Sequence, residues 1–369
     1  MSDWFDVGSA DDFGDGKVRP AVAGGQAVAV FRLGDELFAL KDLCTHGNAR
    51  LSDGYIEDGC VECPLHQGTF DIRSGAPRCA PVTEAVRSFP VRVTASRVEV
   101  RVAAAAKETA APTVRQLQAE IVAITRAAPD VAVLQLRWEG AGLAYQSGQY
   151  VDVLLADGQR RSYSMATPAG ADQSVLELHV RHLPGGLFTD RVFGGMREGE
   201  WLQLEGPGGN FHLRDGSGPI ILLASGTGFA PIKALVEEAI ASNNKRPMRL
   251  YWGGRKPADL YMDALCRDWA ARLAWFDYVP VLSEVDDAGG WSGRTGFVHH
   301  AVMRDIPDMQ RYQVYACGAP VVVEAARRDF TGSCGLPDTD FFADAFLSKA
   351  DSGAGKTLHL TQGGPPCKT

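Results

Sequence analysis

The alternation of apolar and polar positions divides the chain into stretches of different period. In residues 1–103 the period is two. Ala27-Val28-Ala29-Val30-Phe31 and Glu36-Leu37-Phe38-Ala39-Leu40 flank Gly34-Asp35, which predicts a hairpin. Val91 and Val93 alternate with Arg92, and Val98, Val100 and Val102 alternate with Glu99 and Arg101, as half-buried strands do. An all-β antiparallel domain is expected. Residues 114–213 open in the same way, with strands over Ala119 to Ile124 and Val131 to Leu136. From 214 to 349 the character changes. Pro219-Ile220-Ile221-Leu222-Leu223-Ala224 is a near-continuous apolar run, as for a strand buried on both faces. A helical pattern runs from Ile232 to Ile240, and strands are expected at Arg249 to Trp252, Phe276 to Leu282 and Gln313 to Ala316. An α/β domain with a parallel sheet follows. Residues 104–113, small and Pro-containing, read as a linker that can either swing or dock. Residues 350–369, rich in Gly, Pro and Thr, read as a disordered tail.

Length and composition agree with a multidomain globular chain: 369 residues, 45% hydrophobic and 22% charged. A formal charge of −8 argues against a nucleic-acid partner, which selects for basic patches. Met1 to Phe13 is polar and acidic, with no secretory h-region, and no apolar run approaches the ~20 residues of a membrane span. Eight cysteines in a chain of this length suggest reduced thiols and a cytoplasmic setting.

Two short stretches carry metal-ligand chemistry. Cys44-Thr45-His46 and Cys63-Pro64-Leu65-His66 each supply one thiolate and one imidazole. Cys44, His46, Cys63 and His66 form the ligand set of a Rieske [2Fe–2S] cluster, two Cys on one iron and two His on the other. Structural zinc also accepts Cys₂His₂, but zinc fingers pair like ligands, whereas each loop here pairs unlike ones. With their Gly47 and Gln67-Gly68 flanks these motifs resemble the Rieske ferredoxins of bacterial aromatic-ring dioxygenases over most of residues 3–102. High-potential respiratory relatives carry an extra Cys in each loop. Ala49 and Leu65 stand there in this chain, and Thr69 replaces a Ser near the sulfurs. That implies a potential toward the lower end of roughly −150 to +300 mV. Cys60 reads as a buried thiol.

Further on, Arg161-Ser162-Tyr163-Ser164 combines an Arg fork able to clamp a pyrophosphate, a ring two residues on able to stack on a flat heterocycle, and a hydroxyl able to meet a ring nitrogen. Gly185-Gly186-Leu187-Phe188-Thr189 is a glycine turn opening a helix, which offers backbone N–H groups to phosphate. Glu205-Gly206-Pro207-Gly208-Gly209-Asn210-Phe211 closes the stretch. Gly226-Thr227-Gly228-Phe229-Ala230-Pro231 then follows the apolar strand directly and precedes a helix, a phosphate-binding arrangement at a sheet's carboxyl edge. Cys317-Gly318 ends another strand, where a thiol lies at the ligand crevice.

In this order the motifs are similar to the ferredoxin–NADP⁺ reductase superfamily. The resemblance implies an antiparallel β-barrel flavin domain before the nicotinamide domain. It assigns Arg161, Tyr163 and Ser164 to the flavin and Gly186, Leu187 and Thr189 to its pyrophosphate, with FAD favoured over FMN. It assigns Gly226, Thr227, Gly228 and Pro231 to the nicotinamide cofactor. Cys317 and Gly318 would face the nicotinamide, so Ser164 and Cys317 are the catalytic candidates. NADPH-specific relatives place Arg or Lys after the strand equivalent to Tyr278–Leu282. Here Ser283 is followed by Glu284, then Asp286 and Asp287, and carboxylates repel a 2′-phosphate. NADH is expected, with Arg255 and Arg294 as the residues that would argue for NADPH. Phe341-Phe342-Ala343-Asp344-Ala345-Phe346 resembles the close of reductases serving bacterial oxygenases, where an aromatic lies against the flavin. Cys266 and Cys334 read as structural. Gly355-Lys356-Thr357 mimics a P-loop end, but Ala350 replaces its first Gly.

The expected function is electron transfer from NADH through FAD to the Rieske cluster, and on to a separate terminal aromatic-ring-hydroxylating oxygenase. Nothing in the sequence resembles a second iron site of two His and a carboxylate. The alternatives are the same relay serving a deoxysugar dehydratase or a haem oxygenase, or a redox-sensing module with a structural metal site.

Overall fold

The computed structural model describes residues 3–45, 49–64, 68–79, 82, 84–102, 114–140, 142–170, 175–285 and 290–346. The linker 104–113, the tail 350–369 and the Asp286-Asp287 pair lie outside the described residues. The described residues fall into two compact units, 3–102 and 114–346.

The first unit is all β. Gln26–Leu33 and Glu36–Lys41 pair as the expected hairpin, Leu33 opposite Glu36, with Gly34 at φ +62° in the turn. Val18–Ala23 and Ser88–Phe89 complete that sheet. Trp4–Ser9, Arg97–Arg101 and Val91–Thr94 form a second antiparallel sheet. Between them in sequence lies a small sheet of Tyr55–Glu57, Cys60–Glu62, Thr69–Asp71 and Pro77–Cys79. Alternation is as expected: Val98 and Val100 are buried while Arg97 and Arg101 are exposed.

The second unit has two lobes. Its first lobe is a six-stranded antiparallel sheet in the order Arg160–Ser164, Tyr150–Leu154, Trp201–Gly208, Arg115–Ala128, Val131–Arg137, Leu176–Arg181. A bridge between Met165 and Leu178 joins the two outer strands and closes the barrel. The helix α1, Leu187–Gly194, packs Phe188 and Val192 into the barrel core.

The second lobe is a parallel sheet in the order Arg294–Thr295, Phe276–Leu282, Met248–Gly254, Ile220–Ser225, Gln313–Gly318, Phe341–Ala345. Four helices cover it: α2 (Phe229–Ala241), α3 (Asp263–Arg272), α4 (Val298–Asp305) and α5 (Pro320–Ser333). Period-two alternation sorts the strands between two cores. Ile220, Leu222 and Ala224 pack with α2 and α3, whereas Ile221 and Leu223 pack with α4 and α5. The aromatic stretch near the end, treated from sequence only as a motif, is a full sheet strand. The central strand Ile220–Ser225 has neighbours that leave in opposite directions along the chain. A topological switch point therefore lies between it and Gln313–Gly318. No helix of the described residues is long and apolar enough to cross a membrane.

Candidate functional site

In the first unit both Cys ligand candidates are buried in one core cluster with Phe31, Leu40, Leu51, Val61, Phe70 and Ile72. Their loops are built alike. Cys44 N–H donates to the carbonyl of Ala49 at 3.0 Å, and Cys63 N–H donates to that of Gly68 at 2.9 Å, each bond reaching the residue five positions on. Buried Asp42 anchors the first loop by accepting from Ser52 N–H (2.8 Å) and Ser52 Oγ–H (3.0 Å). Thr45 Oγ–H donates to the Glu84 carbonyl at 2.9 Å. His46 and His66 lie outside the described residues. One observation tests whether a cluster fits. The hydroxyl of Thr69, directly after the second loop, is buried with no hydrogen-bond partner among the described residues. An orphaned hydroxyl costs about 1–3 kcal/mol, which a sulfur acceptor offsets. Cys60 is buried, as expected.

In the barrel, Arg161 and Tyr163 fall on one side of their strand and Ser164 on the other. Arg161 is half-exposed, and its guanidinium rests on the Arg160 carbonyl (2.7 Å) and Gln159 Oε1 (2.9 Å). The Tyr163 ring lies 5.3 Å from that of Phe188, and burial pushes its hydroxyl pKa up. The glycine turn differs from expectation. Gly185 N–H donates to Asp190 Oδ2 and Gly186 N–H to the Leu183 carbonyl, so both amides are used inside the turn. Buried Thr189 donates its hydroxyl to the Leu183 carbonyl at 2.9 Å. The donors that a helix start necessarily leaves over are those of its first turn, beginning at exposed Leu187.

Ser164 and Cys317, 153 residues apart in sequence, are linked through a residue the sequence reading left without a role. Ser164 Oγ–H donates to Asp344 Oδ2 at 3.3 Å, and Asp344 sits opposite Cys317 in the strand register. All three are buried. Burial, reinforced by the Asp344 charge, holds the Cys317 pKa far above its ordinary value. Cys317 is therefore a neutral thiol and not a nucleophile. Of the three phenylalanines around Asp344, Phe341 packs on the α4/α5 side. Phe342 stacks on Tyr315 at 4.9 Å, and Phe346 N–H donates to the Gly318 carbonyl at 2.9 Å.

Glycines allow this crevice to form. A Cβ on Gly228 would lie 2.2 Å from the Cys317 carbonyl oxygen, and one on Gly318 would lie 2.4 Å from that of Ser225. Gly226 takes φ +55°, and its carbonyl accepts from Trp252 Nε1 at 3.1 Å. Thr227 stands between them in a short 3₁₀ turn, and Pro231 is buried in the first turn of α2. Glu284 is elsewhere on the sheet edge: it is exposed, and its N–H donates to the Arg255 carbonyl at 2.9 Å.

A buried polar network joins the lobes, and the sequence reading did not find it. His179 lies between Glu177 (Nε2 to Oε1, 2.8 Å) and Tyr261 (Nδ1 to the hydroxyl, 2.7 Å). Burial lowers the His179 pKa and keeps the ring neutral. Burial also keeps Tyr261 protonated. Burial alone would raise Glu177, but the His179 hydrogen bond and the Lys233 charge outweigh it and leave it ionised. Only one proton arrangement satisfies all three: Tyr261 donates to Nδ1, and Nε2–H donates to Glu177. Lys233 on α2 reaches the Ala166 carbonyl (3.1 Å), Glu237 (3.0 Å) and Glu177 (3.4 Å). Arg181 pairs with Asp259 at 3.3 Å across the same boundary. A signal for Lys233 existed: it is a lone cation inside an otherwise apolar stretch, Phe229 to Val236.

A closed antiparallel barrel leading into a parallel sheet, with both catalytic candidates at the switch point, defines a flavin- and nicotinamide-type reductase. Family comparisons agree. Residues 3–90 match the Rieske [2Fe–2S] domain, 118–213 the oxidoreductase FAD-binding domain and 222–328 the oxidoreductase NAD-binding domain. The chain is 58% identical over 102 residues to the anthranilate 1,2-dioxygenase ferredoxin subunit of Burkholderia cepacia, covering 94% of that protein and 28% of this one. It is 43% identical over 219 residues to the CDP-6-deoxy-L-threo-D-glycero-4-hexulose-3-dehydrase reductase of Yersinia pestis, 59% of this chain and 65% of that protein's length. The solved structure of the Amycolatopsis cytochrome P450 reductase GcoB superposes with a TM-score of 0.62 at 33% identity, over 69% of this chain and 76% of that one. The chain belongs to the NAD/FAD oxidoreductase family of ferredoxin reductase type, with a Rieske [2Fe–2S] domain at its front.

Replacing Thr69 by Val removes the one hydroxyl available to the cluster at this position while keeping the volume. The reduction potential of the cluster should fall by an amount on the order of tens of millivolts, as for loss of a hydrogen bond to sulfur. Protein-film voltammetry of wild type and variant checks this, and an unchanged potential means the hydroxyl has another partner.

Proposed function

We propose that the protein carries electrons from NADH through FAD to its Rieske cluster, and from there to a separate terminal oxygenase that hydroxylates aromatic rings. The observation that carries this reading is the convergence of Ser164, Asp344 and Cys317 at the switch point. It puts the flavin strand against the end of the nicotinamide-domain strand, where two flat rings must stack for direct transfer. Bound FAD would supply the step between a two-electron donor and a one-electron cluster. The residues provide orientation. The Ser164 hydroxyl is held by Asp344, the neutral Cys317 thiol presents a small apolar surface, and Arg161 offers its guanidinium toward phosphate. Cys44, His46, Cys63 and His66 would hold the cluster. A reducing, cytoplasmic compartment is proposed on the cysteine usage of the chain, eight in 369 residues, which suits thiols rather than a disulfide framework.

The acceptor docks on the domain that carries the cluster, so relatives of that domain inform the partner most. The Burkholderia ferredoxin subunit, named for an aromatic dioxygenase, supports an aromatic-ring oxygenase. The relatives named for a deoxysugar dehydratase and a cytochrome P450 match 59% and 69% of this chain, more than the cluster domain contains, and they support the same chemistry with another acceptor.

NADH is the proposed donor. The exposed Glu284 carboxylate disfavours a 2′-phosphate, and the nearby Arg255 is partly offset by Asp259 at 3.9 Å. Exchanging Glu284 for Lys should raise kcat/KM for NADPH by about tenfold, equivalent to ~1.4 kcal/mol. Steady-state assays with both nucleotides check this, and unchanged discrimination would remove Glu284 from cofactor selection.

The relay itself is tested with Cys44→Ser. Loss of the cluster should leave NADH-dependent reduction of ferricyanide, which takes electrons from flavin. It should lower NADH-dependent reduction of cytochrome c on the order of 100-fold. Cytochrome c reduction at the wild-type rate would place the cluster off the path.

A further inference from the structure

Among the described residues, one cluster of metal-ligating side chains stands apart from the sites above. His299 and His300 lie in the first turn of α4, and Asp329 lies on α5. No motif marks them, because the carboxylate comes from a different helix some thirty residues later. Their ligand atoms all fall within 4.8 Å of one another. This is the combination of two His and a carboxylate for which the sequence offered no pattern.

The spacing is informative. His299 Nε2 is 3.4 Å from Asp329 Oδ2. The other two imidazole–carboxylate pairs among the described residues, His179–Glu177 and His182–Asp190, are at 2.8 Å. A charge-assisted hydrogen bond sits at about 2.7–2.9 Å. Two ligands bound to one tetrahedral ion at about 2.0–2.1 Å are separated by about 3.3–3.4 Å. His299 and Asp329 thus have the separation of two ligands rather than of a hydrogen-bonded pair. The remaining contacts orient them. Arg328 Nε donates to Asp329 Oδ1 at 2.8 Å, which leaves Oδ2 toward His299. The Phe297 ring lies nearly parallel to that of His299, at 6.0 Å and 17°, and gives it an apolar flank. His299 is buried and His300 exposed, so the His300 ring is able to turn and complete the third contact, with solvent in the remaining position.

We propose that His299, His300 and Asp329 bind a divalent first-row transition-metal ion that ties α4 to α5 in the nicotinamide lobe. Two imidazoles with one carboxylate select zinc-like ions over calcium or magnesium, which prefer all-oxygen sets. The site shares no residue with the four cluster ligands or with the switch point.

Zinc chloride is the probe. The full-length protein, with its cluster and flavin in place, is dialysed against buffered free Zn²⁺, and bound zinc per chain is measured by elemental analysis. Wild type should hold one equivalent more than His300→Ala. Because His300 is exposed, that variant keeps its core intact. Asp329→Asn, nearly isosteric, should lose the same equivalent, with binding at least about tenfold weaker in both. Zinc bound by other thiols or imidazoles is common to all three proteins and cancels in the difference. Equal zinc content in wild type and both variants, at every free concentration up to that which saturates wild type, overturns the proposal.

Discussion

Two strand ends meet at a distance that only glycine permits, and the rest of the second unit depends on that approach. Gly228 lies against the Cys317 carbonyl and Gly318 against that of Ser225, each closer than any Cβ tolerates. Their contact narrows the edge between Ile220–Ser225 and Gln313–Gly318, where the strand order reverses. Beside this edge, the register of the next strand sets Asp344 opposite Cys317 and within reach of Ser164 from the barrel. A side chain at either position would have to push these backbones apart.

The approach of the two lobes needs its own support, and buried polar groups provide it. Glu177, His179, Tyr261, Lys233 and Ala166 satisfy one another across the boundary with defined proton positions. Removing one partner from such a set leaves a buried charge or donor unpaired, which costs several kcal/mol. An apolar boundary of the same area would adhere without fixing register. The hydrogen bonds instead allow one alignment of the strand Leu176–Arg181 against α2 and Tyr261.

Fold class was legible because its signals are local. Period-two alternation marks both β regions, and a single apolar run followed at once by a glycine loop marks the parallel sheet. The proposed cluster cysteines and the Arg161–Ser164 stretch stand out in the sequence because their chemistry is contiguous. What escaped was assembled by folding. Asp344 gains its place from strand register, Lys233 and His179 from the contact between lobes, and Asp329 from the packing of α4 on α5. The glycine turn at 185–186 illustrates the limit from the other side. Its backbone donors were expected to be free, yet a carboxylate five residues on, Asp190, takes one of them.

The central claim is that one chain holds a complete path from nicotinamide to an iron–sulfur cluster. Its most direct test is anaerobic titration of the purified protein with NADH, followed by flavin absorbance and low-temperature EPR on the same samples. The account predicts that flavin bleaching is accompanied by a Rieske-type signal that grows in proportion to NADH. A cluster that stays oxidised while the flavin bleaches, or a front domain with stoichiometric zinc and no iron signal, would contradict it.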